Sequence, residues 1–585
     1  MNSRCTILLA GILLCFYRAS AGEIEWRPWS DSVFAQARQE GRFVLLDLGT
    51  GWCHWCHVME ELTYRDPAVI ELIRNRYIAV RVDADSRPDL SNRYEEYGWP
   101  ATIVFANDGG EIVKRQGYIP PKPMAAMLQA IIDDPTPGPS VLPEQKLSSS
   151  PDAFLAAGAR QSLQKILIDT YDSKNKGWGK VQKFLNWDLI EYCLSQAKQG
   201  DTRLEQMARE TLAAQLRLID PVWGGVCQYS TDGDWDHPHF EKIMQMQAEN
   251  LRTYAAAYAL WHEPSYLQTA KAIRGYLQNF LTSPEGAFYA SQDADLIPGQ
   301  HSAEYFKLSD SRRRKRGTPR VDQHIYSREN GWAINALATL YAVTGEESYL
   351  TDAVRAADWI VDHRASVDGG FRHDETDPAG PYLGDTLYMG RAFLALYAVT
   401  ADRIWLQRAE QAVQFISTNF KNEVGYVTSA SRGALKSNPQ VDENVDLVRL
   451  SNLLRNYTGK TAYQEIAKHA MQYLSVPNTA EGRGFLVGGI LLADQEITAP
   501  PRHITVVGRK DDFAARDLFR AALQDPSTYK RIEWWDEREG PLPNSDVEYP
   551  ALEQAAAFVC GDKSCSAPIF SPEKLMDLSQ KSVAR

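Results

Sequence analysis

Gly51-Trp52-Cys53-His54-Trp55-Cys56-His57-Val58-Met59-Glu60 is the stretch whose reading decides the fold. It follows an apolar run, Phe43-Val44-Leu45-Leu46-Asp47-Leu48, that reads as a buried strand, and it leads into residues with helical spacing. Two cysteines separated by two residues, where a strand gives way to a helix, are placed for thiol–disulfide chemistry. The helix N-terminus carries unpaired N–H groups and partial positive charge, which favours a thiolate on Cys53. The short spacing lets Cys56 reach back and displace whatever Cys53 has captured.

The same residues admit other readings. Cys53-x-x-Cys56-His57 also fits covalent attachment of a c-type haem, but a haem site has no need of a preceding buried strand. Zinc held by Cys53, His54, Cys56 and His57 would crowd four ligands into five residues with no second ligand pair. The flanks agree with a thioredoxin-like site at several independent points. Asp47 lies in the strand, where such sites keep a buried acid beneath the disulfide, and Trp52 directly precedes the first cysteine. Trp99-Pro100 opens a second apolar run, Ala101 to Phe105, at the place of a cis-proline facing the cysteines. A turn, Asn107-Asp108-Gly109-Gly110, then a strand, Glu111 to Gln116, and Gly117 complete a hairpin.

A chain of 585 residues with 44% hydrophobic and 24% charged side chains is long enough for several globular domains. Residues 1–21 read as an export signal: Arg4, a largely apolar run from Thr6 to Tyr17, and Ala19-Ser20-Ala21 before Gly22. That run is short for a membrane span, and Leu14 is not the small residue a lipoprotein signal would place before Cys15. A periplasmic or secreted location is expected. The formal net charge of −12 argues against nucleic acid or an anionic membrane as partner. The basic run Arg312 to Arg316 reads as a solvated loop. Cys560 and Cys565 could close a small disulfide loop in an exported protein, Cys193 reads as a core thiol, and Cys227 is ambiguous.

The order of elements predicts a multidomain chain: an N-terminal α/β thioredoxin-like fold, an all-α toroid and a small α/β C-terminal lobe. Residues 22–135 alternate strands and helices. Residues 136–151, rich in proline and serine, read as a linker. Residues 152–498 hold about twelve amphipathic segments, roughly 152–168, 187–198, 202–219, 242–262, 264–281, 328–344, 346–363, 384–400, 402–419, 442–459, 461–474 and 484–494. Short links such as His262-Glu263-Pro264 force antiparallel neighbours. A glycine–aromatic phrase recurs between hairpins, as in Gly177-Trp178, Trp223-Gly224, Gly370-Phe371 and Gly425-Tyr426. Six such hairpins resemble the (α/α)6 toroid of six-hairpin glycosidases and N-acylglucosamine 2-epimerases. Residues 499–585 read as the lobe, with strands near 503–508, 530–535 and 555–560 and a helix at 512–523.

Together these features resemble the thioredoxin-fused six-hairpin proteins of the spermatogenesis-associated protein 20 type, over nearly the whole chain. The carriers are Cys53-His-Trp-Cys-His-Val-Met59, Gly98-Trp99-Pro100, Pro238-His239-Phe240-Glu241-Lys242, Ser291-Gln292-Asp293-Ala294-Asp295 and the Cys560/Cys565 segment. That family usually has serine where Asp47 stands, and its phrase after Lys242 usually continues to Tyr-Asp-Asn-Ala, where this chain runs Ile243 to Asn250.

The expected chemistry is exchange with protein thiols or disulfides. Cys53 is the nucleophile, Cys56 resolves, His54 steadies the thiolate, Asp47 handles the Cys56 proton, and Pro100 shapes docking together with Trp52, Trp55 and Trp99. No cofactor or metal is expected. In the toroid, His239, Glu241, Asp293 and Asp295 are candidate ligand-binding groups, as are Trp223 and Trp235 for stacking on sugar rings, with carbohydrate as a second class of partner. The bland alternative is that these groups brace the mouth of the toroid. A carbohydrate-active toroid with a regulatory thioredoxin domain is the rival function.

Overall fold

Only a strand covered on both faces can bury a run such as Phe43–Gly49, and in the computed structural model this segment, β1, sits inside a four-stranded sheet. The structure describes residues 22–142, 147–377, 379–430, 433, 435–561 and 564–580; the expected export signal lies outside them. The helix before it, α1 (Ser32–Glu40), is stopped by Gly41 in the left-handed region, φ 64°. After β1 come α2 (His54–Val58), α3 (Pro67–Arg76), β2 (Tyr77–Asp83), α4 (Pro88–Tyr94), β3 (Ala101–Phe105), β4 (Glu111–Gln116) and α5 (Pro121–Asp133). The sheet order is β2-β1-β3-β4, with β1 parallel to β2 and antiparallel to β3. The segment expected to link the domains is pinned at both ends. Gly138 N–H donates to Ile112 O at 2.9 Å, and Ser150 N–H donates to Gln472 O at 2.8 Å.

All twelve expected helical segments are present. In chain order they are α6 (Ala157–Asp169), α7 (Trp187–Lys198), α8 (Thr202–Gln215), α9 (Met244–Trp261) and α10 (Pro264–Phe280), then, after two short helices, α11 (Ala303–Phe306) and α12 (Asp310–Arg316), the pairs α13 (Ser327–Thr344) with α14 (Glu347–Arg364), α15 (Leu383–Thr400) with α16 (Arg403–Asn419), and α17 (Val441–Thr458) with α18 (Thr461–Leu474). The short α19 (Pro477–Glu481) and then α20 (Gly488–Thr498) follow. Helices α7, α9, α13, α15, α17 and α20 pack side by side in a closed ring, and α8, α10, α14, α16 and α18 lie outside it. The sixth outer position is filled by α6, so the first and last segments pair with each other across the whole toroid. The ring helices α9, α13, α15 and α17 are buried nearly all round, as an inner wall requires, whereas the outer helices keep a polar face.

Two glycines let the ring close tightly. A Cβ on Gly488 of α20 would stand 2.3 Å from Leu189 Cα of α7, and one on Gly331 of α13 would stand 2.6 Å from the Tyr388 carbonyl carbon of α15. The basic run Arg312 to Arg316 is helical, not a solvated loop: it forms α12, and Arg313 is fully buried. Its guanidinium grips Asp220 at 2.6 and 3.0 Å, and Lys242 Nζ donates to the same carboxylate at 2.9 Å. A single buried carboxylate out of sight in the sequence overrides the solvation of one basic residue in five.

In the C-terminal lobe, Arg502–Val507 is the central strand, parallel to Lys530–Trp535 and antiparallel to Ala556–Cys560. The helix Phe513–Leu523 covers it, and a last helix not expected from the sequence, Pro572–Gln580, packs on that one. Cys560 and Cys565 are disulfide-bonded, with Cα atoms 4.0 Å apart.

The thioredoxin-like domain sits on the end of the toroid where α9, α13, α15 and α17 begin. Asn92 Nδ2 donates to Glu443 Oε1 at 3.2 Å, Arg93 Nη1 to Lys436 O at 3.1 Å, and His373 Nε2 lies 2.7 Å from Asp85 O. On its other side, His373 Nδ1 is 2.9 Å from Asp385 Oδ1. Burial opposes the imidazolium, but Asp385 outweighs it and pushes the His373 pKa up to about 9.

Two outcomes follow from this packing. Gly488→Ala is expected to lower unfolding stability by about 1–3 kcal/mol through overpacking at the ring closure, read from urea denaturation; an unchanged midpoint would contradict the tight approach of α20 to α7. The second concerns pH. A histidine raised above its unfolded value near 6.5 contributes stability that is complete below that pH and lost as pH rises through about 9. The melting temperature should therefore decline across that window, and His373→Gln should flatten the decline. Equal slopes in the two proteins would refute the ion pair.

Candidate functional site

The couple is built by the junction of β1 and α2. Cys53 is the N-cap of α2, with extended backbone, and its Sγ accepts from Cys56 N–H at 3.2 Å. Cys53 and Cys56 are disulfide-bonded, with Cα atoms 5.3 Å apart. Gly49 keeps the approach open, since a Cβ there would stand 3.1 Å from Cys56 Sγ. Register places proline and couple at the same sheet end: Leu48 pairs with Ala101, so Pro100 stands level with Gly49. The Trp99–Pro100 peptide is cis, and Pro100 O accepts from Gly117 N–H at 2.8 Å.

Asp47 lies on the same face of β1 as Gly49, two residues before it, and is buried. Burial raises its pKa against the opposing charge of Arg81. Among the described residues its hydrogen bonds run to Arg81 Nε at 2.9 Å and Tyr64 Oη at 3.1 Å, and none runs to Cys56. Arg81 in turn lies over the Trp26 ring at 4.0 Å and pairs with Glu60. Sequence reasoning missed Arg81; its one signal is a lone cation between apolar residues of a buried strand.

The toroid completes the site. Asp293 and Asp295 lie in the loop between α10 and α11, and both point at the cysteine motif. Each Asp295 carboxylate oxygen is 2.9 Å from His54 Nδ1, and Oδ2 is also 3.3 Å from His57 Nδ1 and accepts from Gly299 N–H at 2.9 Å. Asp293 Oδ1 accepts from Asp295 N–H at 2.9 Å, while its Oδ2 stands 3.7 Å from His57 Nε2. Around this contact Arg320 Nη2 donates to Gly51 O at 2.7 Å, and Ala294 N–H donates to Trp52 O at 3.4 Å. Burial resists the charge on Asp295, but the hydrogen bonds from His54 and His57 outweigh it and hold the carboxyl below its ordinary value. For His57 burial again opposes the charge, and Asp295 and Asp293 together raise its pKa. Burial pushes Asp293 up to about 6.

Donor atoms of His57, Asp293 and Asp295 lie within 4.8 Å of one another, the one grouping among the described residues close enough to share a cation. The two ring nitrogens of His57 face two different carboxylates, which is the arrangement of an ion pair. Within the motif the cysteines bond each other and both histidines turn to the toroid.

The aromatic candidates divide. Trp52 is buried and its Nε1 donates to Asp85 Oδ2 at 2.6 Å. Trp55 is 42% exposed and stacks on Tyr118, the one ring of the motif open to a partner. Trp235 is buried, with Nε1 donating to the Asn175 and Lys176 carbonyls, and Trp223 is buried with Nε1 on Asp310. Both rings brace the toroid, because their N–H groups are spent inward and their faces are covered. His239 stacks on Tyr229 at 4.3 Å, with Nδ1 3.8 Å from Glu241 Oε2. Glu241 is buried, and Lys242 is the structural partner of Asp220 described above. The phrase touches the redox site through rings: Phe240 meets His301 at 6.2 Å, and His301 meets His54 at 5.6 Å.

Residues 15–133 match the Thioredox_DsbH family, described as a protein of unknown function, DUF255. Spermatogenesis-associated protein 20 of Homo sapiens is 22% identical across 95% of this chain and 89% of its own length. The Mus musculus protein of that name is 29% identical over 311 residues, which is 47% of this chain and 39% of its own. Thiol:disulfide interchange protein DsbD 1 of Pseudomonas aeruginosa is 39% identical over 85 residues, 14% of either chain. Among solved structures, cellobiose 2-epimerase from Bacillus thermoamylovorans B4167 superposes on 54% of this chain and 86% of its own, at 12% identity and a TM-score of 0.44. The chain thus carries a thioredoxin-like DUF255 domain ahead of a toroid of six helical hairpins, and it is similar along its length to spermatogenesis-associated protein 20.

Proposed function

We propose that this protein catalyses thiol–disulfide exchange at Cys53 and Cys56, and that it does so as an exported protein. The observation that carries the reading is a bonded cysteine pair at the tip of α2 whose two flanking histidines are gripped by one toroid carboxylate, Asp295. A fold kept only as a scaffold has no need of ionisable groups aimed at the couple from another domain. No helix among the described residues is long and apolar enough to cross a membrane.

In the reducing direction the Cys53 thiolate attacks a substrate disulfide. One substrate sulfur leaves as a thiolate and takes a proton, and a mixed disulfide remains on Cys53. The Cys56 thiolate then attacks Cys53 Sγ, releasing the second substrate thiol and forming the Cys53–Cys56 bond; two electrons have passed to the substrate. The opposite direction runs the same steps in reverse. The N-terminus of α2 and the imidazolium form of His57, which adjoins Cys56, favour the thiolates. His54 is oriented by Asp295 beside Cys53. Asp47 takes or gives the Cys56 proton, with Arg81 setting how readily it does so. Cys53 is only 4% exposed, so the substrate that suits this site is an extended segment with its disulfide or thiol at the tip, laid along Trp55 and the cis-Pro100 loop.

Two measurements test the reading. Cys53→Ser should abolish reduction of insulin disulfides, and Cys56→Ala should accumulate mixed disulfides on Cys53; undiminished turnover by Cys53→Ser would refute it. Asp295→Asn should raise the Cys53 thiol pKa and make the couple more reducing. A loss of about 1.4 kcal/mol in stabilising the reduced form corresponds to roughly 30 mV. If Asp295 merely braces the domains, the potential will not move.

A further inference from the structure

Among the described residues one other pair of cysteines is bonded, Cys560 with Cys565 in the C-terminal lobe. It lies at the far end of the toroid from Cys53. The lobe packs on the C-terminal ends of the ring helices: Lys510 Nζ donates to Ala401 O, just past α15, at 2.9 Å, and Asn544 Nδ2 donates to Asn456 O, in the last turn of α17, at 2.7 Å. Those helices are 18 residues long, so roughly 27 Å of helix stands between the two couples. Cys53 cannot reach Cys565 of its own chain.

Strand register sets what surrounds the second pair. Cys560 pairs with His503 of the central strand, and His503 pairs with Arg531 of the next. Residues directly opposite share a face, with Cβ atoms about 4.5–5.5 Å apart in an antiparallel pair. One row across the sheet therefore reads Arg531, His503, Cys560, and Cys565 bridges to its end. The neighbouring row on that face holds the histidine: His503 Nε2 lies 2.9 Å from Glu533 Oε2 and 2.9 Å from Thr505 Oγ1. Arg531 Nη2 is 2.7 Å from the same Glu533 oxygen. With Nε2 engaged, Nδ1 is the ring nitrogen left to serve the sulfur. A cysteine beside a histidine that a carboxylate orients is the arrangement that activates a thiol.

A structural staple accounts for less of this. The two cysteines are only five positions apart, and the restriction a disulfide places on the unfolded chain shrinks as the loop shortens. The hairpin is closed without the bond: Gly561 N–H donates to Ser564 O at 3.0 Å, Ser566 N–H to Val559 O at 2.9 Å, and Ala557 and Ile569 exchange bonds of 2.8 and 2.9 Å. A staple also has no use for an oriented imidazole in its row. The two sulfurs differ in access, too. Cys560 is 5% exposed, whereas Cys565 is half-buried and follows the exposed Ser564.

We infer that Cys560 and Cys565 form a second redox couple that exchanges with small-molecule thiols, with Cys565 as the sulfur attacked and His503 serving the Cys560 thiolate. The thiolate of a small thiol attacks Cys565 Sγ. The bond to Cys560 breaks, and Cys560 leaves as a thiolate that takes the first thiol's proton by way of His503 Nδ1. A second small thiolate attacks the small-molecule sulfur of the mixed disulfide. The small disulfide departs, and Cys565 leaves as a thiolate and takes the second proton. Two electrons have passed from two small thiols to the couple. Cys53 of a second copy is a poor reactant here, because it is as closed as Cys560. The inference goes beyond exchange at Cys53 and stands whether or not that couple turns over.

The test uses the full chain carrying Cys53→Ser and Cys56→Ser, so that electrons come from glutathione alone. The protein is equilibrated at pH 7 in mixtures of reduced and oxidised glutathione, free thiols are alkylated, and the peptide spanning 560–565 is weighed. The pair should pass from bonded to reduced across these mixtures while the cooperative melt is kept. A pair still fully bonded in reduced glutathione, or one whose reduction unfolds the lobe, would overturn the inference. His503→Gln should slow the reduction roughly tenfold or more and remove a histidine step from its pH profile; an unchanged rate and profile would sink the role of the imidazole. If His503→Gln loses its cooperative melt, the pH dependence of Cys560 alkylation in Cys565→Ser decides instead: a thiolate forming below the ordinary cysteine range supports the couple, and one forming at or above it counts against it.

Discussion

One carboxylate holds the functional arrangement together. Asp295 accepts from both histidines of the cysteine motif, and it does so from a loop of the other domain. The couple itself is made by local structure, the junction of β1 and α2. What Asp295 sets is the surroundings of the sulfurs: it orients two imidazoles, beside the contacts of Arg320 and Ala294 to the Gly51 and Trp52 carbonyls. The cysteine pair is thus made by one domain, and the carboxylates beside its histidines come from the other.

This division suits the physics of a buried polar interface. Charged groups that leave water must be paired and hydrogen-bonded or they destabilise. The interface meets that demand in part with linked pairs, His54 and His57 on Asp295, His373 between Asp385 and the Asp85 carbonyl, and Asn92 on Glu443, while Asp385 Oδ2 and Glu329 Oε2 are buried with no donor among the described residues. Such contacts fix orientation more than they add stability, because much of their gain offsets desolvation.

Much of this was legible along the chain, and the reason is periodicity. The strand before the motif, the hairpin after Pro100 and twelve helical segments each announce themselves within a dozen residues or so. The toroid ring and its short links follow from the same signals. Pairings at long range do not. Nothing local says that α20 closes the ring against α7 with α6 outside it, or that Arg313 in a run of five basic residues is buried on Asp220. Asp293 and Asp295 stood out as candidates for a toroid ligand, while their partners, 241 residues away in the case of His54 and Asp295, are invisible to spacing. Trp223 and Trp235 illustrate the converse. Their composition suits a sugar platform, and only the inward hydrogen bonds of their ring N–H groups show them to be braces.

The amino-acid sequence by itself determined the couple: cysteine spacing at a strand-to-helix junction, an acid in the strand and a cis-proline run, all short-range features set by covalent geometry and hydrophobic alternation. The tertiary structure decided which charges surround that couple. Those depend on which loop of a ring of helices meets which helix tip, a matter of packing between segments hundreds of residues apart that no local pattern encodes.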